Sequence, residues 1–155
     1  MRAEGSATLE ADTLSAMRRT MAAETVLRVV ASGKVAGYRS RLPGIVEEAL
    51  LHAANGRLVV PLGAFGGAAR DVAIELGLLP ETARVGYAAA GDSYYPALAK
   101  LGKLAEEHRH VAEDAGIWRE MQVLAEADDP TVIAVGVRRI ADRASGNSNP
   151  SAIKR

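Results

Sequence analysis

The 155-residue chain contains no cysteine. Disulfides and thiolate metal sites are therefore excluded, and the absence agrees with a reducing cytosol. Neither charge dominates: Lys+Arg and Asp+Glu both number 19, for a formal net charge of zero. Such balance gives no electrostatic case for a nucleic-acid or membrane surface. It also leaves little self-repulsion, so a homo-oligomer is expected. Apolar runs are short; none approaches the ~18 residues of a membrane span. The first ten residues carry Glu4 and Glu10 and no apolar run, unlike a secretory signal. A cytoplasmic protein is the expectation. Aromatic residues are scarce, at 4% of the chain, and alanine is abundant, so helices can lie close to a sheet.

What is present is a large apolar fraction, 48%, enough for one domain with a sizeable core. Residues 1–144 read as that domain. Residues 145–155, rich in Ser, Asn, Gly and Lys/Arg, read as a disordered tail.

The pattern predicts a helix over Leu14–Ala23, with Leu14, Met17 and Met21 on one stripe and Thr13 as N-cap. Val26–Ala31 is β-branched and apolar, the composition of a buried strand. A loop through Ser32, Gly33, Lys34 and Arg41 leads to Pro43, well placed to open a helix that Asn55–Gly56 closes. Arg57–Leu62 is a second short strand. Gly63–Gly67 then leads into a helix over Ala68–Leu76.

Strand, loop, helix, strand, loop, helix is the signature of parallel βαβ units. The fold class expected is α/β and Rossmann-like: a parallel sheet flanked by helices, with a helix-rich C-terminal half. There, helices are expected over Tyr94 to about Ala115, Ile117–Glu126 and Thr131–Arg143. Only two strands are convincing, so the sheet is either reduced or completed by a partner subunit.

Right-handed crossovers put both glycine loops at the same sheet edge, where open α/β sheets bind ligands. Gly33 would let backbone amides approach a ligand, with Lys34, Arg39 and Arg41 as cations; the other reading is a solvated basic loop. Pro43–Gly44 opens a helix whose N-terminus favours anions, and Glu47 or Glu48 could accept from a ribose. Glutamate there is also explained by the helix dipole alone. Gly63, Gly66 and Gly67 form either a second anion cradle or a tight turn. Phe65 between them either stacks on a flat ring or lids the core.

His52, His108 and His110 do not group into a metal site, and no cofactor is implied. Glu106, Glu107, Arg109, Glu113 and Asp114 read as a solvated helix face. Trp118, Met121 and Leu124 read as packing residues.

Taken as a set, Met17–Arg18–Arg19, Val29 to Lys34, Pro43–Gly44 with Glu47–Glu48, and Gly63–Ala64–Phe65–Gly66–Gly67–Ala68–Ala69 resemble the SLOG superfamily. That group includes LOG-type nucleotide-processing proteins, DprA-like proteins and ligand-sensing domains of bacterial conflict systems. The resemblance covers Ala16 to Ala73 and is closest to the sensor-type members. It implies an NAD-derived or ADP-ribose-like ligand, with Lys34 and Arg41 on phosphates and Glu47 or Glu48 on a ribose. Gly66 and Gly67 would let the backbone approach.

It also implies sensing coupled to oligomeric state in defence or signalling, beside a TIR or sirtuin-like effector module. LOG-type enzymes, which hydrolyse the N-glycosidic bond of nucleoside monophosphates, carry Pro-Gly-Gly-x-Gly-Thr-x-x-Glu and an upstream arginine. Here Arg18, Glu47 and Glu48 would fill the catalytic positions. The second glycine and the Gly-Thr pair are missing, which favours binding over turnover. A structural subunit whose glycine loops only make turns is the third alternative.

Overall fold

The computed structural model describes residues 2–146, the side chains of 2–4 excepted. Helix α1 spans Arg2–Glu24 and leads into strand β1, Leu27–Ala31. Helix α2, Gly44–Ala54, crosses back to strand β2, Leu58–Leu62. A 3-10 turn over Gly63–Phe65 opens helix α3, Gly67–Glu75. Four helices follow: α4 Tyr94–Gly102, α5 Ala105–Asp114, α6 Trp118–Glu126 and α7 Pro130–Ala144.

The strands pair in parallel, Leu27 against Leu58 through Ala31 against Leu62, so β1-α2-β2 is one βαβ unit. The expected α/β class is what the chain adopts. Helices α2 and α3 pack on each other and on both strands. Helices α6 and α7 pack on each other and reach β2 and β1 respectively. The core between them is Val30, Val59, Val60, Val72, Tyr94, Leu98, Ile117, Met121 and Ile140. Met121 and Leu124 pack there as read from the sequence, and Trp118 lies half-buried against them.

Three expectations are corrected. Helix α1 begins well before Leu14, and Thr13 lies inside it, its hydroxyl donating to the Leu9 carbonyl rather than capping an end. The buried stripe of α1 is also different. Ala11, Ser15 and Ala22 are buried, whereas Met17 is 49% exposed. The spacing i, i+4, i+11 is helical, but small side chains carry it, which brings α1 close to α2.

The third correction concerns the helix expected over Tyr94 to Ala115. It is two helices, parted at Lys103–Leu104. That break turns His108 inward. His108 is buried, and its Nε2 accepts the Val59 amide hydrogen at 3.0 Å. The remaining charged residues of α5 are exposed, as expected.

Other boundaries follow local chemistry. Asn55 ends α2, and Gly56 turns out with φ of 64°. Asp129 caps α7, its carboxylate accepting from the amides of Thr131 and Val132 at 2.7 and 3.2 Å, with Pro130 in the first turn. The expected tail lies outside the described residues except for Ser145 and Gly146, which form the turn after α7. Among the described residues no helix is long and apolar enough to cross a membrane.

Candidate functional site

Both glycine loops leave the carboxyl ends of the two parallel strands, and they touch. The Ala68 amide donates to the Gly33 carbonyl at 3.2 Å, and the Ala69 amide donates to the Ser32 carbonyl at 2.7 Å. Ser32 and Gly33 both take positive φ, 55° and 102°, to present those carbonyls. Gly67, at φ 59°, is required by contact: a Cβ there would lie 2.5 Å from the Gly33 oxygen. The loops thus share one rim, as the crossover argument expects. Two amides of the α3 N-terminus, however, are spent on the first loop.

Gly63 sits elsewhere. A Cβ on it would meet Leu79 at 2.7 Å and the Ala125 carbonyl at 2.9 Å, so close packing against α6 explains that glycine. Phe65 is 48% exposed. Gly66 donates to the Gly63 carbonyl and closes the 3-10 turn.

The N-terminus of α2 is different. Pro43 occupies its N-cap with φ −56° and ψ 126°, and no side chain caps the first turn. Glu47 takes the Pro43 carbonyl, leaving the amides of Gly44, Ile45 and Val46 without a partner among the described residues. Such an end carries a partial positive charge and donors pointing outward. It opens on a cleft of about 380 Å³ lined by Arg18, Lys34, Tyr38, Arg39, Ser40 and Glu48, with Leu14, Gly44 and Ile45.

Charge around this cleft is ordered. Arg18 Nη1 lies 2.6 Å from Glu47 Oε2. Arg18 Nε is 3.6 Å from Glu48 Oε1, close enough for ionic attraction but beyond hydrogen-bond range, so this buried N–H has no hydrogen-bond acceptor. Arg28 holds Glu48 from the other side, at 2.7 and 2.8 Å from Oε2. Gly44 makes room for this array: a Cβ there would lie 2.7 Å from Arg18 Nη2. Arg39 and Arg41 reach Glu10 and Asp12 of α1 at 3.4 and 3.0 Å and remain 81% and 68% exposed. Lys34 is exposed and meets no carboxylate among the described residues.

The loop is fixed from behind. Ser93 gives its hydroxyl proton to the Arg41 carbonyl, so Tyr38 donates to Ser93 Oγ, at 2.5 Å. The Gly91 amide donates to the Val35 carbonyl at 2.9 Å. His52, buried in α2, completes the support. Its Nδ1 faces the Glu48 carbonyl at 2.9 Å, and Thr25 lies 2.8 Å from Nε2. Burial, above all, lowers its pKa from the ordinary range.

The structure therefore brings together Arg18, Gly33, Lys34, Pro43, Gly44, Glu47 and Glu48, with Gly66 and Gly67 behind the first loop. It sets Gly63 apart and directs Arg41 to Asp12. Sequence reasoning missed Tyr38 and Ser40. The former depends on Ser93, far along the chain, which no local pattern reveals.

The family model for SLOG cluster2 matches residues 6–125. The chain belongs to the SLOG cluster2 family. No curated protein and no solved structure matches it. Membership points to a nucleotide-related function. The match reaches into α6, well beyond the glycine loops.

Proposed function

We propose that this SLOG domain binds a nucleotide-type ligand, NAD-derived or ADP-ribose-like, in the cleft before α2. The observation that carries the reading is the uncapped α2 N-terminus opening beside Lys34. A phosphate there would accept from the Gly44 and Ile45 amides and from Lys34, with Arg39 at the rim. Glu48, which lines the cleft, is the acceptor available to a ribose hydroxyl. Occupancy would then bias self-assembly or an effector module of TIR or sirtuin-like type, the signalling role that sensor-type relatives suggest.

Thermal unfolding with ADP-ribose, NAD and AMP tests this. A ligand at about 100 times its Kd stabilises by ~2.7 kcal/mol, and at roughly 2–4 °C per kcal/mol for a chain of this size the melting point rises by about 5–10 °C. Lys34→Ala should weaken binding by ~1.5–3 kcal/mol, the range for charge-assisted hydrogen bonds. No shift with any of the three nucleotides would refute the reading.

One observation favours turnover instead: Arg18 and Glu48 line a single cleft, and Arg18 also holds Glu47. Both carboxylates are already engaged by arginines, which suits holding a ligand better than activating water. Release of free base from AMP or NAD, abolished in Glu48→Gln, would reverse that preference.

A further inference from the structure

The residues that line the cleft before α2 divide by chemistry. Arg18, Arg39 and Glu48 are already ion-paired within the protein, and the Ser40 hydroxyl donates to the Leu42 carbonyl at 2.7 Å. Lys34 and the first amides of α2 remain for a phosphate. Leu14, Ile45 and Tyr38 supply apolar surface, and Tyr38 is the one aromatic residue among the described residues that line the cleft. Phe65, though 48% exposed, is not among them.

Tyr38 is held in place before any ligand arrives. Its hydroxyl is turned to Ser93, and Ser93 passes its own proton to the Arg41 carbonyl. Gly91 lies against the same end of the ring. A Cβ on Gly91 would sit 2.8 Å from both Cε1 and Cζ of Tyr38, and closer still to the hydroxyl oxygen. The Gly91 amide donates to the Val35 carbonyl, which ties this support to the loop that carries Tyr38. Gly91 and Ser93 cover the hydroxyl end, so this half-buried side chain offers the cleft its ring carbons. A ring fixed in this way loses little freedom on contact. Stacking of a base on an aromatic side chain needs a π-face and little else.

We propose that the base of the bound nucleotide stacks on Tyr38, so that the cleft selects a flat ring joined to a phosphate over a phosphate alone. The inference rests on the ligand reading above and adds the residue that recognises the base. A phosphate by itself needs only the α2 amides and Lys34. The pinned ring beside them answers a second, flat part of the ligand.

Calorimetric titration with AMP and with ribose 5-phosphate, which keeps the phosphate and lacks the base, tests this. The wild type should bind AMP more tightly. Tyr38→Ala should weaken AMP binding by roughly 5- to 150-fold, the worth of one stacked base, and leave ribose 5-phosphate binding unchanged. The ring-retaining Tyr38→Phe should rescue AMP binding. Gly91→Ala should give the same split from outside the cleft, because the added methyl displaces the ring. A loss in Tyr38→Ala that both ligands share equally overturns the proposal and leaves Tyr38 as a peg for its loop. Should Tyr38→Ala not fold, Tyr38→Leu, which keeps bulk without a flat face, is read in the same way. Wild type that binds ribose 5-phosphate as tightly as AMP overturns the stacking platform alone. Wild type that binds neither refutes the ligand reading itself, and the platform with it.

Discussion

His108 gives the sharpest test of how the fold is held together. Its imidazole is 2% exposed and accepts the Val59 amide through Nε2. That tautomer is assigned from its partner, and it leaves the Nδ1 hydrogen buried without an acceptor. Burial pushes its pKa down to about 4. The unfolded chain titrates near the ordinary value of ~6.5. Between those values the unfolded state binds the extra proton, so stability rises with pH across this window. The contribution is present above about pH 6.5, erodes as pH falls, and is gone below about pH 4.

Carried down to pH 4.5, linkage gives a loss of about 2.5 kcal/mol from this residue. His52, also held below its ordinary range, adds in the same direction. His108→Gln keeps an acceptor for Val59 and removes the titration. Urea unfolding at pH 7 and pH 4.5, followed by Trp118 fluorescence, should show the variant losing about 2–3 kcal/mol less than the wild type. Equal losses in the two proteins would refute the argument that a neutral imidazole seals the β2 edge.

Two further substitutions probe the packing. Gly67→Ala drives a methyl to 2.5 Å from the Gly33 oxygen, a backbone atom, at a φ of 59°. It should lower stability by at least ~2 kcal/mol, since both strain and overpacking act, with the melting point falling by roughly 4–8 °C. Asp71 is 1% exposed and accepts the Tyr94 hydroxyl at 2.6 Å, with Arg84 3.5 Å from its other oxygen. Burial, with the bond to Asp71 second, drives the Tyr94 pKa upward. Asp71→Ala strands that buried hydroxyl and should cost about 1–3 kcal/mol, measured by urea unfolding at pH 7; a cost below ~0.5 kcal/mol would mean the pair is not coupled to folding.

The βαβ unit was readable because its signals are local. β-branched runs, Pro43 at a helix start and Asn55–Gly56 at its end act within a few residues of themselves. The shared rim followed from crossover geometry. What stayed hidden was long-range. The buried stripe of α1 is made of alanine and serine, which a search for large apolar residues passes over. His108 sits among charged neighbours and looks solvated until the break at Lys103–Leu104 turns it toward Val59. The cleft itself needs Tyr38 to find Ser93, and no spacing in the chain announces that pairing. Gly63 and Gly67 look equivalent as letters, yet one packs against Leu79 and the other against the Gly33 oxygen.

Pro61 and His108 together have a consequence beyond the sheet they border. Strand-by-strand polymerisation needs two receptive sides on every molecule, one to give and one to take. Among the described residues, the outer side of β2 has no free amide at Val59 or Pro61 to give. Growth by edge addition therefore cannot continue across β2, and this side resists fibre formation without spending a surface lysine on the task.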